Sequence, residues 1–211
     1  MLNTVLTKFK DEYLKASSLV LKDNKFANYT RTDAIELVEN VLQREDLKVS
    51  ISVGQGNWAE IPWIGIFNPE ITETATAGIY VVYLFSADMR SVYLCQGQGV
   101  TSVKNEFGKG YRSELLRRSD LIRSRVPDYS SSFNAGEVDL LGTTTLAKSY
   151  ESAVAYFKHY QLDQLPTEDT LQHDLSKMIG LYDQLVMLGG TDNIETFSNF
   201  VSDESPETIE E

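Results

Sequence analysis

The first fifty residues carry two amphipathic patterns, each of which predicts a helix. Near the N-terminus, apolar residues recur at spacings of four, three and four: Leu2, Leu6, Phe9 and Tyr13. A second helix is predicted from about 33 to 43, with Ile35, Val38 and Leu42 on its buried face and Thr30 or Thr32 as its N-cap. Spacings of three and four place apolar residues on one face of an α-helix.

The pattern changes to alternation after residue 47. Val49, Ile51 and Val53 alternate with polar residues, as in a half-buried strand. The sequence Gly54-Gln-Gly-Asn57 interrupts this strand, and the Ile-Pro-Trp of residues 61–63 opens a second apolar stretch. Proline is tolerated at the start of a strand or at a sheet edge. Residues 78–85 and 91–95 are rich in β-branched and aromatic side chains and predict a hairpin.

The second half predicts mostly helices. A basic helix runs from about 111 to 125 and ends before Pro127. A polar loop (128–136) and a short strand near 138–141 follow. Next comes a helix that buries Tyr150, Val154 and Phe157. The last helix starts after Pro166-Thr167 and ends at Gly189-Gly190, with these residues on its buried face: Leu171, Leu175, Met178, Tyr182 and Leu185.

These elements together predict an α+β fold, with a mixed, mainly antiparallel β-sheet flanked by α-helices. A length of 211 residues suits one domain with a substantial core. We place this domain at residues 1–190, followed by an acidic tail or linker at 191–211. Residues 192–211 hold seven acidic and no basic side chains, which is typical of a disordered segment.

Composition limits the location and the chemistry. No apolar run approaches the roughly 20 residues that span a bilayer, and the N-terminus has no signal-peptide core. Cys95 is the only cysteine in the sequence, so an internal disulfide is impossible and a cytoplasmic location is expected. One cysteine and two histidines exclude a cysteine-rich zinc site. We find no Walker A motif, no catalytic constellation and no cofactor motif, so we expect no enzyme activity.

Charge is unevenly distributed. The net charge of −12 argues against a polyanionic partner, but residues 192–211 account for −7 of it. Residues 104–125, in contrast, carry a net charge of +4. Such a stripe is compatible with DNA binding, and equally with a solvated helix face. If it binds DNA, the expected phosphate contacts are Lys48, Lys104, Lys109, Arg112, Arg117 and Arg118.

The loop at 54–57 carries the most specific motif. Gly54-Gln-Gly-Asn-Trp-Ala-Glu-Ile-Pro-Trp63, followed by Gly78-Ile-Tyr-Val-Val-Tyr-Leu84, resembles the N-terminal DNA-binding domain of the McrB family. Weaker similarity continues through Leu141-Gly142 and Tyr150-Glu151 to the last helix, covering roughly residues 30–188. This family provides the specificity module of GTP-dependent, type IV-like restriction systems directed at modified cytosine.

The resemblance implies a function and a set of residues. The module would bind double-stranded DNA and flip a 5-methyl-type cytosine into an aromatic pocket, and a GTPase or nuclease domain or subunit would cut the DNA. The implied pocket residues are Trp63, Tyr80, Leu84 and, by a looser match, Tyr129. The loop entering the duplex would be Gly54, Gln55, Gly56 and Asn57. Gln55 stands where an aromatic residue occurs in the best-known member.

The residue types agree with this chemistry. Trp63 and Tyr129 could sandwich a base, since stacking contributes about 1–3 kcal/mol, and Leu84 could contact a 5-methyl group. Gln55 could hydrogen-bond the partner base left behind. Two alternatives stay open: a binder of a specific unmodified sequence, or an acidic protein-interaction or regulatory module.

Overall fold

A computed structural model describes residues 1–189. The helices are α1 (Leu2–Ser17), α2 (Lys25–Arg31), α3 (Asp33–Leu42), α4 (Val100–Phe107), α5 (Tyr111–Arg125), α6 (Thr145–Ser152) and α7 (Glu168–Gly189). The strands are β1 (Lys48–Gln55), β2 (Asn57–Phe67), β3 (Ile79–Phe85), β4 (Ser91–Gln98), β5 (Asn134–Ala135) and β6 (Val154–Gln161). Short 3₁₀ turns occupy Gly108–Gly110 and Pro127–Ser131.

One six-stranded sheet organises the described residues, in the order β1-β2-β3-β4-β6-β5. Every strand pairing in it is antiparallel. The predicted α+β class is confirmed, as is the predicted hairpin, which pairs Ile79 with Gln98 and Phe85 with Val92. The connections from β1 to β2 and from β3 to β4 are short, as antiparallel pairing permits.

The two faces of the sheet differ, and strand alternation assigns each residue to one of them. On β3, Ile79, Val81, Tyr83 and Phe85 join the large core, which also takes in residues of α1, α2, α3, α5 and α7. We call this side the helix-covered face. Tyr80, Val82 and Leu84 point the other way, into a smaller cluster next to Trp63 and α6. We call this second side the groove face.

Aromatic packing seals the helix-covered face. Phe9 of α1 stacks on Phe85 with ring centroids 4.3 Å apart and meets Phe26 of α2 edge-on at 5.1 Å. On α7, the Tyr182 hydroxyl donates to the Ile79 carbonyl at 3.0 Å. The amphipathic faces predicted for α1 and α7 are confirmed, because their predicted apolar residues are buried here.

The predicted helix through Val154 and Phe157 is wrong. α6 ends at Ser152, and the chain continues as β6, which pairs Val92 with Tyr160 and Cys95 with Phe157. The segment Val-Ala-Tyr-Phe-Lys-His-Tyr is rich in strand-forming residues. Pairing with β4 provides hydrogen-bond partners for the backbone of β6. Local periodicity cannot predict a partner so distant in sequence.

Three other local predictions need correction. Residues 138–141 form no strand: Val138 and Leu140 are buried, but Leu140 N donates to Glu151, and Leu141 has a φ of +55°. α2 was not predicted; its cap is Asn24, which accepts from two helix N–H groups. Thr32 precedes α3 without a side-chain cap bond. The predicted tail at 191–211, and Gly190 as a helix stop, lie outside the described residues.

Candidate nucleic-acid interface

The hairpin between β1 and β2 ends in a tight turn that requires glycine. Gly54 has a φ of +114°, and a Cβ there would lie 2.0 Å from the Asn57 carbonyl oxygen. Gly56 has a φ of +74°, in the left-handed region that favours glycine. Gln55 therefore lies exposed at the tip between two glycines. The loop singled out in the sequence projects from the edge of the sheet.

Trp63 lies on β2, on the groove face. It is half-buried, and its ring meets Phe67 edge-on with centroids 6.3 Å apart. Gly65 permits this contact, because a Cβ would lie 2.5 Å from the Phe67 ring and 3.1 Å from Trp63. Pro62 falls in a stretch of β2 without registered partners in β1 or β3, which explains its place inside a strand.

Tyr80 and Leu84 form the floor beside Trp63. Both are buried on the groove face of β3, where Leu84 is the cross-strand partner of Trp63. The Tyr80 hydroxyl lies within hydrogen-bond distance of two carbonyl acceptors, those of Ala75 and Gln98, at 3.2 and 3.1 Å. Burial raises the pKa of Tyr80 far above its usual value. Tyr80 is therefore a neutral wall whose hydroxyl is already satisfied.

Tyr129 is not part of this pocket. It stacks on Phe133 at 6.4 Å, packs against the core of the helix-covered face, and places its hydroxyl near Gly180 of α7. Residues 127–131 form a 3₁₀ turn after α5, which carries Tyr129 to the opposite side of the sheet from Trp63. The loose motif match misplaced it.

Tyr150 of α6 occupies the position expected of Tyr129. It is half-buried and lines the same cavities as Trp63. Burial raises the pKa of its hydroxyl, and a hydrogen bond with Trp63 partly offsets that rise. From the sequence, Tyr150 is predicted to be a core residue because it shares helical spacing with the apolar Val154 and Phe157. That spacing gives no sign that one side of the ring is exposed.

The space around this aromatic pair consists of a narrow recess and two open grooves. The recess between Trp63, Tyr80, Leu84 and Tyr150 has a volume of only about 10 Å³, room for one water molecule. A groove of about 430 Å³ extends towards the start of α4, and one of about 260 Å³ towards the hairpin tip. Leu146, which is 51% exposed, borders both grooves. The indole is thus accessible from both grooves, whereas the recess itself is too small for a planar ring.

A carboxylate clamp holds α6 against β2. Glu60 accepts four hydrogen bonds, from the backbone N–H and the hydroxyl of both Thr143 and Thr144, at 2.6–3.0 Å. The Thr144 hydroxyl, followed by the Thr143 backbone N–H, lowers the pKa of Glu60 to about 2. A Cβ on Gly142 would lie 2.3 Å from that of Ala147, so this approach requires glycine. The clamp therefore fixes the helix that carries Tyr150.

Half of the predicted phosphate contacts are engaged within the protein. Lys48 pairs with Glu73 at 2.8 Å, and Arg117 makes two hydrogen bonds to Glu114. Arg118 is 2% exposed and bonds Glu114 at 2.8 Å. Its prediction as a phosphate contact is wrong, because a buried side chain cannot reach a duplex. The spacing of four between Glu114 and Arg118 is the spacing of an intrahelical ion pair.

Lys104, Lys109 and Arg112 remain as exposed cations, and within residues 1–189 none of them forms a salt bridge. Lys104 lies over the Tyr111 ring at 5.7 Å. The Tyr111 hydroxyl shares a hydrogen bond of 2.8 Å with Ser149, next to Tyr150. That bond, with smaller effects from Arg112 and Lys104, lowers the pKa of Tyr111. The basic segment is thus joined to the aromatic groove through α6.

Other chemistry finds little support in the described part of the chain. Residues 1–189 contain no group of three or more His, Cys, Asp or Glu side chains placed to hold a metal ion. Cys95 is buried, and its burial raises the pKa of the thiol. Among these residues, no helix combines the length and apolar character that crossing a membrane requires.

Comparison with known proteins identifies a family. A family model described as the MrcB-like, N-terminal domain matches residues 8–187. That range contains the hairpin, the aromatic groove, the clamp and the basic segment. No curated protein matches the chain.

Proposed function

The chain belongs to the MrcB-like N-terminal domain family, and on that premise we propose that it recognises 5-methyl-type cytosine in duplex DNA by receiving the flipped base between Trp63 and Tyr150. The family points to a DNA-binding module of a restriction system. The observation that carries the finer proposal is the convergence of the hairpin tip, the half-exposed aromatic pair and the cationic segment on one side of the protein.

Recognition begins with positioning of the duplex. Lys104, Lys109 and Arg112 contact phosphates, which orients the DNA without reading its sequence. This places the hairpin tip against the stack, where Gln55 fills the space of the departing base and hydrogen-bonds its partner. Extrusion costs a few kcal/mol in lost stacking and pairing. Two aromatic surfaces offset that cost, since each stacked base gains about 1–3 kcal/mol.

The base enters by displacing Tyr150 from Trp63. The closed recess holds about one water, so the ring occupies the space gained when the two side chains separate. Leu84 lies beneath the indole and offers an apolar contact for a 5-methyl group. One methyl contributes roughly 1 kcal/mol, which corresponds to about fivefold in affinity. The buried hydroxyl of Tyr80 is already bonded, so Tyr80 acts through shape.

The test compares one duplex with and without a single 5-methylcytosine at two salt concentrations. The expected result is tighter binding of the methylated duplex by wild type and loss of that preference in Trp63→Ala. Tyr129→Ala is the matched control, since it removes an aromatic ring from the opposite face and should keep the preference.

Equal affinity of wild type for both duplexes would remove methyl reading and favour a binder of unmodified sequence. Absence of binding to either duplex at low salt would favour a protein-interaction module. Preference retained in Trp63→Ala would show that the indole is only structural. Circular dichroism and thermal unfolding of each variant verify that it folds.

The expected partners follow from this assignment. Cleavage requires a GTPase or nuclease, which would belong to another domain or subunit. The domain itself is proposed to bind DNA without catalysis and without a cofactor.

A further inference from the structure

The segment between α1 and α2 presents apolar and basic side chains beside the hairpin, on the helix-covered face. Leu19 and Val20 are 64% and 78% exposed, although both are large aliphatic residues. Lys15, Lys22 and Lys25 are exposed around them. We call residues 15–25 the lysine loop. The loop belongs to no sequence motif, and its net charge is only +2.

One hydrogen bond fixes the lysine loop to the start of β2, and two contacts of Tyr13, which precedes the loop on α1, hold the same junction. The Trp58 indole N–H donates to the Leu19 carbonyl at 2.8 Å. The Tyr13 hydroxyl donates to the Ala59 carbonyl, and the Tyr13 ring meets Trp58 edge-on at 5.6 Å. Leu21 is buried within the loop. Because Trp58 is paired with Gly54, the loop is tied directly to the base of the hairpin turn.

The charges of the loop are not neutralised inside the protein. Within residues 1–189, no salt bridge involves Lys15, Lys22 or Lys25. In contrast, Lys8 and Lys10 of the same helix pair with Glu12 and Asp11. Uncompensated lysines around exposed aliphatic side chains fit a partner with a dense negative charge and an apolar groove surface. Duplex DNA has both, in its phosphates and its deoxyribose edges.

We propose that the lysine loop is a second duplex contact, on the side of the hairpin opposite the aromatic groove, with Lys22 and Lys25 on phosphates and Leu19 and Val20 against the groove wall. This inference rests on the proposed function, since it assumes that the hairpin engages DNA. It makes the hairpin the centre of a two-sided grip. Lys104, Lys109 and Arg112 hold the duplex on one side, and the lysine loop holds it on the other.

The first test is the double variant Lys22→Gln/Lys25→Gln, measured by fluorescence anisotropy with the methylated and unmethylated duplexes from 50 to 200 mM NaCl. The slope of log K against log salt is negative, and each lost phosphate contact reduces its magnitude by about 0.9. The magnitude of the slope should therefore decrease by about 1.8, and affinity for both duplexes should fall by roughly tenfold or more near 0.1 M salt. Their ratio stays as in wild type.

The control is Lys158→Gln/Lys177→Gln, which removes the same charge from β6 and α7, together with the Lys158–Asp174 ion pair of 4.0 Å, and should keep the wild-type slope. A second variant, Leu19→Ser/Val20→Ser, leaves the Leu19 carbonyl bonded to Trp58. It should weaken binding to both duplexes severalfold without changing the slope of log K against log salt. Both loop variants replace exposed side chains, so thermal unfolding should match wild type.

The outcomes separate this inference from the function on which it rests. A wild-type slope in Lys22→Gln/Lys25→Gln, with wild type still binding DNA, would overturn the second contact and leave base recognition intact. A reduced slope in a protein without methyl preference would keep the loop as a DNA contact and reject the proposed base reading. If the control double variant showed an equal decrease in the magnitude of the slope, the effect would come from overall charge and the inference would be overturned.

Discussion

The same three central strands build two surfaces of opposite character. On the helix-covered face, alternate residues of β2, β3 and β4 join a core closed by five helices, and rings such as Phe9 and Phe85 stack at 4.3 Å with no exposure. On the groove face, the intervening residues meet the short α6, the segment with Val138 and Leu140, and other loop residues, and Trp63 and Tyr150 stay half-exposed. Incomplete cover leaves aromatic surface free for a ligand.

The difference also shows how the groove is kept from collapsing. Aromatic rings at a half-open surface would close over each other unless their supports were fixed. Glu60 and the Tyr111–Ser149 bond hold α6 at two points, while β2 holds Trp63. Fixed supports on both sides suit the proposed site, in which Trp63 and Tyr150 would separate to admit a planar ring.

The largest expected effect is on the helix-covered face. Phe9→Ala should lower the free energy of unfolding by about 3–5 kcal/mol, since it leaves a cavity beneath Phe85 and Phe26. Urea unfolding followed by circular dichroism measures it. The fraction that remains folded should still discriminate methylated from unmethylated duplex. A change in discrimination without a loss of stability would contradict the separation of the two faces.

The next effect tests the groove face. Tyr150→Ala should cost about 1–3 kcal/mol of binding to the methylated duplex, the worth of one aromatic stack. Tyr150→Phe should keep most of the affinity, because the ring does the stacking. Anisotropy titrations measure both. Equal weakening by the Ala and Phe variants would mean that the hydroxyl matters and the ring does not.

A smaller effect concerns the clamp and depends on pH. Folding lowers the pKa of Glu60 from 4.5 to about 2, so its stabilisation is complete above pH 4.5 and is lost as the pH falls towards 2. Glu60→Gln removes one acceptor and should cost roughly 1 kcal/mol at pH 7 after allowance for solvent screening. The gap between wild type and variant should narrow at pH 3. A constant gap across this range would show that the carboxylate charge is irrelevant.

The smallest effect is on the phosphate contacts. Lys109→Gln should reduce the magnitude of the salt slope by about 0.9 for methylated and unmethylated duplex alike. Lys177→Gln, on α7, is the control that should leave the slope unchanged. A loss of methyl preference in Lys109→Gln would show that this side chain reads the base rather than positioning the backbone.

Much of the architecture could be predicted because local patterns and packing agree. The apolar faces of α1 and α7 are set by residues three or four apart, and the β3–β4 hairpin by β-branched and aromatic runs. β6 was not predicted because Tyr150, Val154 and Phe157 have the spacing of a helix. The strand is instead stabilised by pairing with β4, which is distant in sequence.

The candidate site was predictable where a motif placed it and unpredictable where only topology does. The structure brings Trp63, Tyr80 and Leu84 together with the hairpin, but it puts Tyr129 on the other face and Tyr150 in the expected place. The residues next to Tyr129 and Tyr150 in the sequence do not indicate on which face of the sheet each side chain lies. Likewise Arg118 looks like any exposed cation until Glu114 and Phe107 are seen around it.

The most direct test of the central claim is the fluorescence of 2-aminopurine placed opposite a 5-methylcytosine in duplex DNA. The emission of this base analogue rises when its partner leaves the stack. Wild type should raise the emission on binding, and Trp63→Ala bound to saturation should raise it much less. An unchanged signal with saturating wild type would mean that the cytosine stays in the duplex, and the groove between Trp63 and Tyr150 would then have no flipped base to receive.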